Sequence, residues 1–274
     1  MQNSMSEPPL HPCNQGFQWK RIRGPFRIVT EEQARSYNER GFFLLADVLN
    51  RDSVAEITAA IDPLESKGEE FLRRMPDKRL FIAEADGITF TVHLVKLSPM
   101  LREFSASRLF VDLCSDLIGP DVRLYWDQAV YKKPEYPKPF PWHQDNGYTY
   151  IEPQAYLTCW IALTDATVKN GCPWVIPGGH LRGTLAHRAS PLGYVCREEN
   201  GPEAVPIEAR AGSIVVFSSL TPHRTGPNTT KDVRKTYILQ YAPDGARVVE
   251  TGALCDAPDR QYLIAKGGRA SVAS

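Results

Sequence analysis

Apolar and polar positions follow a helical pattern in the first part of the chain. Thr30 and Gln33 form a capping box, which predicts a helix that begins near residue 30 and ends at Gly41. A short apolar strand is predicted directly afterwards, over residues 42–45.

Two further helices are predicted before residue 120. Val54, Ile57 and Ile61 recur at helical spacing, and we expect Pro63 to end the helix that they mark. An amphipathic segment at 109–117 predicts another helix, which a following Gly-Pro pair stops.

Short strands separated by glycine- and proline-rich turns dominate the rest of the chain. The predicted strands are 81–83, 88–92, 122–125, 128–131, 141–145, 157–163, 173–176, 212–217 and 235–241. Such a series favours a sandwich or barrel over a βαβ fold, and a jelly roll of about eight strands fits it. The predicted fold class is therefore mainly β with flanking helices.

We interpret residues 1–274 as a single domain. An irregular N-terminal arm is expected over 1–29, followed by a helical shoulder with strands over 30–120. The jelly-roll core is expected over 121–245, and a C-terminal tail over 246–274.

Composition narrows the functional classes. The 32 basic and 32 acidic residues give a formal net charge of +0, which argues against a nucleic-acid binder that relies on overall positive charge. No apolar run approaches the roughly 18 residues of a membrane helix, and the N-terminus lacks the pattern of a secretory signal. We expect a cytoplasmic monomer or homodimer without nucleic-acid or membrane partners.

The six cysteines do not suggest a metal or disulfide framework. None forms a Cys-x-x-Cys pair, and their spacings are irregular. We therefore expect buried, reduced thiols.

Three residues have the chemistry of a metal site. His143 and Asp145 are two apart, so on a strand both side chains point to the same face. His223 is the best candidate for a third ligand. Two histidines and one carboxylate form the facial triad of non-heme Fe(II) oxygenases, which leaves coordination positions open.

Arg234 adds a second element to this interpretation. Its guanidinium is permanently charged and planar, and it suits bidentate pairing with a carboxylate. His143 alone is more often a structural histidine, but together with His223 and Arg234 it favours a functional site.

Four segments of the chain resemble the phytanoyl-CoA dioxygenase (PhyH) family of Fe(II)/2-oxoglutarate-dependent oxygenases. The matching segments are 142–145, 160–167, 170–180 and 212–217, the last leading into His223 and Arg234. The 170–180 block is the most specific, and its Gly179 replaces a serine that is usual in the family. The resemblance extends over roughly residues 30–245.

The resemblance implies a double-stranded β-helix core with Fe(II) at one end of the barrel. The residues that match the iron ligands are His143, Asp145 and His223. It also implies consumption of 2-oxoglutarate and O2, release of succinate and CO2, and oxidation of a C–H bond in a small organic substrate. Because Asp145 is present, hydroxylation or a related oxidation is favoured over halogenation.

Further residues match the cosubstrate contacts of the family. Arg234 matches the partner of the distal carboxylate of 2-oxoglutarate, and Thr225 lies where a small hydroxyl residue often contacts the same group. Trp160 and Gln128 fall where family members also contact the cosubstrate.

Substrate contacts are expected close to the metal motif. Asn146, Tyr148 and Tyr150 follow it directly and are candidates to line the pocket. The long connection 181–211 is expected near the mouth of the site, and Arg182 at its beginning could meet an anionic substrate.

Two other functions are compatible with a jelly roll that carries these residues. One is a binding protein that has kept the scaffold without catalysis. The other is a cupin-type metal hydrolase or isomerase that uses no 2-oxoglutarate, for which Arg234 would be dispensable.

Overall fold

The computed structural model describes residues 7–198 and 203–271. Its α-helices are α1 (Glu31–Arg40), α2 (Arg51–Arg74), α3 (Pro99–Ser105) and α4 (Arg108–Leu117). Its strands are β1 (Phe42–Leu45), β2 (Arg79–Leu80), β3 (Ala83–Glu84), β4 (Ile88–Val92), β5 (Val122–Lys132), β6 (Phe140–His143), β7 (Ile151–Glu152), β8 (Leu157–Ala162), β9 (Pro173–Val175), β10 (Arg188–Ser190), β11 (Gly193–Val195), β12 (Val205–Pro206), β13 (Ile214–Ser218), β14 (His223–Thr225), β15 (Arg234–Pro243), β16 (Arg247–Val248), β17 (Leu263–Lys266) and β18 (Arg269–Ala270).

Two antiparallel sheets form the centre of the fold. The larger has the order β1-β13-β8-β15-β5-β4-β3-β2, with β17 paired to β5 and β18 paired to β17. The smaller has the order β12-β9-β14-β6. This is the jelly-roll arrangement of a double-stranded β-helix, so the predicted fold class is confirmed.

The larger sheet is apolar on both faces. Along β8, Cys159 and Ile161 belong to a cluster with the helices, whereas Trp160 and Ala162 belong to a second cluster that includes Val175 of the smaller sheet. Neighbouring residues of a strand point to opposite faces, which explains this division. One face is thus covered by α1, α2 and α4, and the other faces the smaller sheet.

Helix α1 forms as the sequence predicts. The Thr30 hydroxyl accepts a hydrogen bond from the backbone N–H of Gln33, and the side-chain oxygen of Gln33 accepts one from the backbone N–H of Thr30. Gly41 ends the helix with φ of 86°. A Cβ at Gly41 would lie 2.6 Å from Thr221 Oγ1 and from His180 Nδ1, so only glycine allows this close packing.

Helix α2 continues past Pro63, and the prediction that it ends there is wrong. Tertiary contacts outweigh the lost backbone hydrogen bond. Tyr131 donates to Asp62 at 2.7 Å, and the buried Glu65 accepts from Thr89 at 2.6 Å. These contacts attach both sides of the proline to the larger sheet.

Several predicted boundaries also change. Segments 122–125 and 128–131 are one continuous strand, β5, because its whole length pairs with β15. The expected tail beyond 245 contributes β17, whose Ile264 and Ala265 are buried. The long connection 181–211 contains strands β10 to β12. Among the residues that the structure describes, no helix is both long and apolar enough to cross a membrane.

All six cysteines are free, in agreement with the expected reduced thiols. Five of them are buried. Cys13 is exposed, and for this residue the prediction of burial is wrong. It lies in the N-terminal arm, where few neighbouring residues cover it.

A buried carboxyl group on β5 gives the fold a testable pH dependence. Asp127 Oδ2 accepts hydrogen bonds from Tyr237 and from the backbone of Val95, both at 3.1 Å, while Oδ1 has no partner within residues 7–198 and 203–271. Burial raises the pKa of Asp127 to about 6. The folded state therefore retains a proton that the unfolded chain loses near pH 4, so stability falls as pH rises from about 4 to 6.

We expect Asp127→Asn to increase the free energy of unfolding by about 1–3 kcal/mol at pH 8 and by clearly less at pH 5. Urea denaturation of both proteins at the two pH values measures this difference. Because the buried histidines titrate alike in both proteins, their contribution cancels. An equal increase at both pH values would contradict the raised pKa of Asp127.

Candidate active site

Strands β6 and β14 bring the two predicted histidine ligands together. His143 ends β6 and is directly opposite His223 on β14, with ring centroids 4.1 Å apart. Asp145 Oδ1 lies 3.9 Å from His143 Nε2 and 3.6 Å from His223 Nε2. Ligand atoms of the three residues lie within 4.8 Å of one another, a spacing that suits one metal ion.

Backbone carbonyls set the orientation of both imidazoles. His143 Nδ1 lies 2.8 Å from the carbonyl oxygen of Pro141, and His223 Nδ1 lies 2.9 Å from that of Thr221. A carbonyl oxygen only accepts, so each Nδ1 carries the proton and each Nε2 presents its lone pair. Burial lowers the pKa of His143 to about 3 and that of His223 to about 4, which keeps both rings neutral.

Asp145 lies just beyond the strand. We predicted a strand through residue 145, but β6 ends at His143 and Asp145 begins a 3-10 turn. Thr158 donates to Asp145 Oδ2 at 2.5 Å, so Oδ1 is the oxygen that faces the histidines. Burial raises the pKa of Asp145, and the adjacent His143 acts against this rise.

Gln144 and His187, which were not among the predicted site residues, hold the backbone of the metal motif in position. The buried Gln144 side chain donates to the carbonyls of Gly183 and Leu220. His187 Nε2 accepts from the backbone of Gln144 at 2.9 Å, and a Cβ at Gly147 would lie 2.1 Å from this ring. His187 therefore orients the segment between the ligands rather than adding a further one.

Arg234 is fully buried and faces no carboxylate among the described residues. Its Nη1 donates to Thr236 at 2.5 Å, whereas Nε and Nη2 have no hydrogen-bond partner in the part of the chain that the structure describes. Its guanidinium carbon lies 5.3 Å from the centroid of the Trp160 ring. Burial lowers the pKa of Arg234 to about 10, yet the group stays charged at neutral pH. Two unpaired donors on a buried cation match an anionic ligand.

A second buried basic residue, Lys132, lies opposite Arg234 in the β5–β15 register. Its Nζ donates to Thr225 Oγ1 at 3.1 Å and to the carbonyl of Gly226. Burial and the charges of Arg234 and Arg224 lower the pKa of Lys132 well below its usual value. Sequence reasoning missed this residue, because its position opposite Arg234 follows only from the pairing of two strands that are distant in sequence.

A cavity of about 510 Å³ opens beside the metal triad. His143 and Asp145 line it, and so do Gln128 and Tyr148, two residues for which the sequence predicted contacts. The long connection 181–211 also reaches the cavity, through Tyr194 on β11, in agreement with its expected position at the mouth of the site.

Asn146, a predicted substrate contact, lies outside this cavity. Its side chain is buried, donates to Thr184 at 2.8 Å and accepts from the backbone of Ile151 at 3.0 Å. The turn after Asp145 directs the amide into the protein, where it has a structural role.

Tyr150 and Arg182 are also absent from the cavity lining, and both contact the N-terminal arm instead. The Tyr150 hydroxyl donates to the carbonyl of Cys13 at 3.2 Å, and Arg182 donates to that of Pro8 at 2.9 Å. Both side chains therefore form hydrogen bonds with the N-terminal arm and do not line the cavity. This corrects the prediction that they contact the substrate.

Comparisons with known proteins agree with this geometry. The family model of phytanoyl-CoA dioxygenase (PhyH) matches residues 37–236. A phytanoyl-CoA dioxygenase of Arabidopsis thaliana is 30% identical over 160 residues, which are 56% of this chain and 56% of that protein. A methylphosphonate hydroxylase of Gimesia maris is 26% identical, over 78% of this chain and 80% of that protein.

A solved structure extends the match to the fold. EvdO2 from Micromonospora carbonacea, crystallised with 2-oxoglutarate, has a TM-score of 0.64 and 24% identity, and the match covers 84% of this chain and 97% of that one. The family model spans most of the chain and includes every predicted metal and cosubstrate position. The chain therefore belongs to the phytanoyl-CoA dioxygenase (PhyH) family of Fe(II)- and 2-oxoglutarate-dependent oxygenases.

Proposed function

We propose that this protein hydroxylates, or otherwise oxidises, a C–H bond of a small organic molecule, using Fe(II), 2-oxoglutarate and O2. The observation that carries the proposal is the buried Arg234, with two unpaired N–H groups, in a protein that also holds a buried His-Asp-His cluster. A buried cation without a partner is costly, and the family cosubstrate is a dianion that would pair with it.

The cluster fits Fe(II) in its donor set. Two neutral imidazoles and one carboxylate, His143, His223 and Asp145, would hold the ion and leave further coordination positions open. When bound, Fe(II) and 2-oxoglutarate supply the oxidation of a C–H bond by O2, with succinate and CO2 as by-products. The carbonyl bonds to both Nδ1 atoms keep the imidazoles in the tautomer that binds metal.

The cosubstrate would be anchored through its distal carboxylate. Arg234 offers two free donors to this group, and Thr225 and Lys132 would contribute a hydroxyl and an amine as further hydrogen-bonding groups. Trp160 packs beside the guanidinium and limits its movement. Gln128 lines the cavity next to the triad, where it would orient substrate or cosubstrate.

The cavity beside His143 and Asp145 would hold the substrate. Its apolar walls would limit the access of water to the reacting C–H bond and so reduce side reactions. We propose that the described chain works as one catalytic domain. A cytoplasmic location and a monomeric or homodimeric state stay predictions from the sequence.

An anaerobic titration tests this function. Adding Fe(II) and then 2-oxoglutarate to metal-free protein should give the weak visible charge-transfer band of a chelated 2-oxo acid, and admitting O2 should give succinate. Metal binding without the band would favour a cupin-type metal enzyme. Absence of metal binding would favour a non-catalytic binding protein.

A further inference from the structure

The cavity beside the triad is lined mainly by aliphatic and aromatic side chains. Leu80, Phe81, Ile82, Phe90 and Val92 form one side of it. The remaining wall is largely aromatic, with Trp126, Phe140 and the rings of four tyrosines at positions 125, 148, 156 and 194. None of the described residues that line it is a lysine or an arginine.

An anionic substrate would lack a partner in this cavity. The lining carboxylate, Asp145, and the lining imidazole, His143, both belong to the proposed metal site. Arg234 and Lys132 do not line the cavity, and the proposed cosubstrate occupies them. Moving a phosphate or carboxylate from water into such a wall costs several kcal/mol per charge.

The dimensions of the cavity also argue against a small ion. At about 510 Å³ it is in the range of sites for drug-sized molecules. A small quaternary ammonium ion could contact one or two aromatic faces but would leave most of this volume unfilled.

The entrance is apolar as well. Leu80, Phe81 and Val92 line the cavity yet are 50%, 63% and 41% exposed, so they form an apolar rim at its mouth. Phe81 has φ of 53° in the turn between β2 and β3. Exposed apolar side chains grouped at a cavity mouth indicate contact with an apolar ligand.

Apart from the Asp145 carboxylate of the proposed metal site, the polar side chains of the lining are neutral. Gln128 and Gln240 offer amides, and the tyrosines offer hydroxyl groups, so the cavity can form hydrogen bonds with neutral oxygen atoms. Such groups fix the orientation of a ligand without compensating a full charge.

We infer that the substrate is a neutral, largely apolar molecule of at least two rings, with hydroxyl or carbonyl groups in place of a phosphate, carboxylate or ammonium group. The inference rests on the proposed function, because it assigns the cavity to the substrate and Arg234 to the cosubstrate. A substrate of this class differs in charge from that of the similar methylphosphonate hydroxylase.

Two probes of nearly equal shape test the inference by binding alone. The neutral 2-acetonaphthone has a methyl group at the position where the anionic 2-naphthoate has a negatively charged oxygen. Ligand-observed NMR would measure their dissociation constants for protein loaded anaerobically with Fe(II) and saturating 2-oxoglutarate, and choline would serve as a cationic probe. We expect 2-acetonaphthone to bind at least tenfold more tightly than 2-naphthoate or choline.

A pair of variants ties the binding to the cavity. Phe81→Asn removes the exposed ring in a conformation that asparagine tolerates, and we expect at least threefold weaker binding of 2-acetonaphthone. Phe71→Asn, at an exposed position of α2 outside the cavity, is the matched control and should change nothing.

Each outcome has one meaning. Equal or tighter binding of 2-naphthoate or choline, no binding of 2-acetonaphthone, or equal effects of the two variants would overturn the inference. The charge-transfer band in the same samples reports on the proposed function separately. A protein that shows the band but does not prefer the neutral probe would keep its activity class and lose this substrate class.

Discussion

Replacing Arg234 with leucine is expected to raise the dissociation constant for 2-oxoglutarate about 100-fold or more, which corresponds to roughly 3 kcal/mol. The guanidinium is fully buried, and its Nε and Nη2 have no partner among the described residues. A carboxylate that reaches them would form charge-assisted hydrogen bonds away from water, where such bonds are strong. Anaerobic titration of the charge-transfer band measures the change.

The same substitution should have the opposite effect on the metal-free protein. In the metal-free protein the buried guanidinium of Arg234 has lost its hydration and has no anion beside it, and the basic side chain of Lys132 lies opposite it in the strand register. We therefore expect Arg234→Leu to leave the midpoint of thermal denaturation unchanged or to raise it. Loss of cosubstrate affinity together with retained stability would exclude misfolding as the cause.

Two controls make this result specific. Arg234→Lys keeps a charge but loses the planar fork, so we expect an intermediate affinity for 2-oxoglutarate. Arg210→Leu removes an exposed guanidinium that pairs with Asp47 and should have no effect. Unchanged affinity in Arg234→Leu would contradict the assignment of this residue to the cosubstrate.

Local signals in the sequence predicted much of the fold and the metal cluster. The capping box at Thr30 and the glycine at 41 define α1 because the interactions lie within a few residues. His143 and Asp145 were found for a similar reason, since two residues of separation keep them close in almost any extended chain.

Features that depend on distant contacts were predicted poorly. Pro63 should end a helix by local rules, but Tyr131 on β5 holds the adjacent Asp62 in place. We predicted that Tyr150 contacts the substrate because it follows the metal motif, and that Arg182 does so because it begins the long connection 181–211. Both side chains instead form hydrogen bonds with the N-terminal arm. Sequence proximity says little about the direction of a side chain after a turn.

Lys132 shows the same limit at the site itself. It has no motif of its own, and its importance comes from a strand pairing with Arg234 and a hydrogen bond to Thr225. Pairings between strands 100 residues apart depend on the whole sheet, so a single sequence does not reveal them.

Removing the carboxylate ligand is expected to eliminate iron binding and turnover. In Asp145→Ala, two neutral imidazoles would remain, and we expect no measurable Fe(II) binding at micromolar concentrations and no succinate above background. Asp145→Asn keeps the shape of the side chain and removes its charge. If the charge is what binds the ion, this variant should also lack Fe(II) binding and succinate formation. Metal content after gel filtration and succinate formation measure both effects.

A variant with a smaller expected effect distinguishes loss of the metal ligand from disruption of the whole site. Thr158 donates to the Asp145 oxygen that faces away from the histidines, so Thr158→Val keeps all three ligands and removes only this support. Loss of such an outer hydrogen bond typically lowers metal affinity or activity about 10- to 100-fold. We therefore expect Thr158→Val to bind Fe(II) weakly while Asp145→Ala binds none. Full metal binding by Asp145→Ala would show that the ion lies elsewhere, and equal loss in both variants would show that Thr158 is needed for the structure of the site itself.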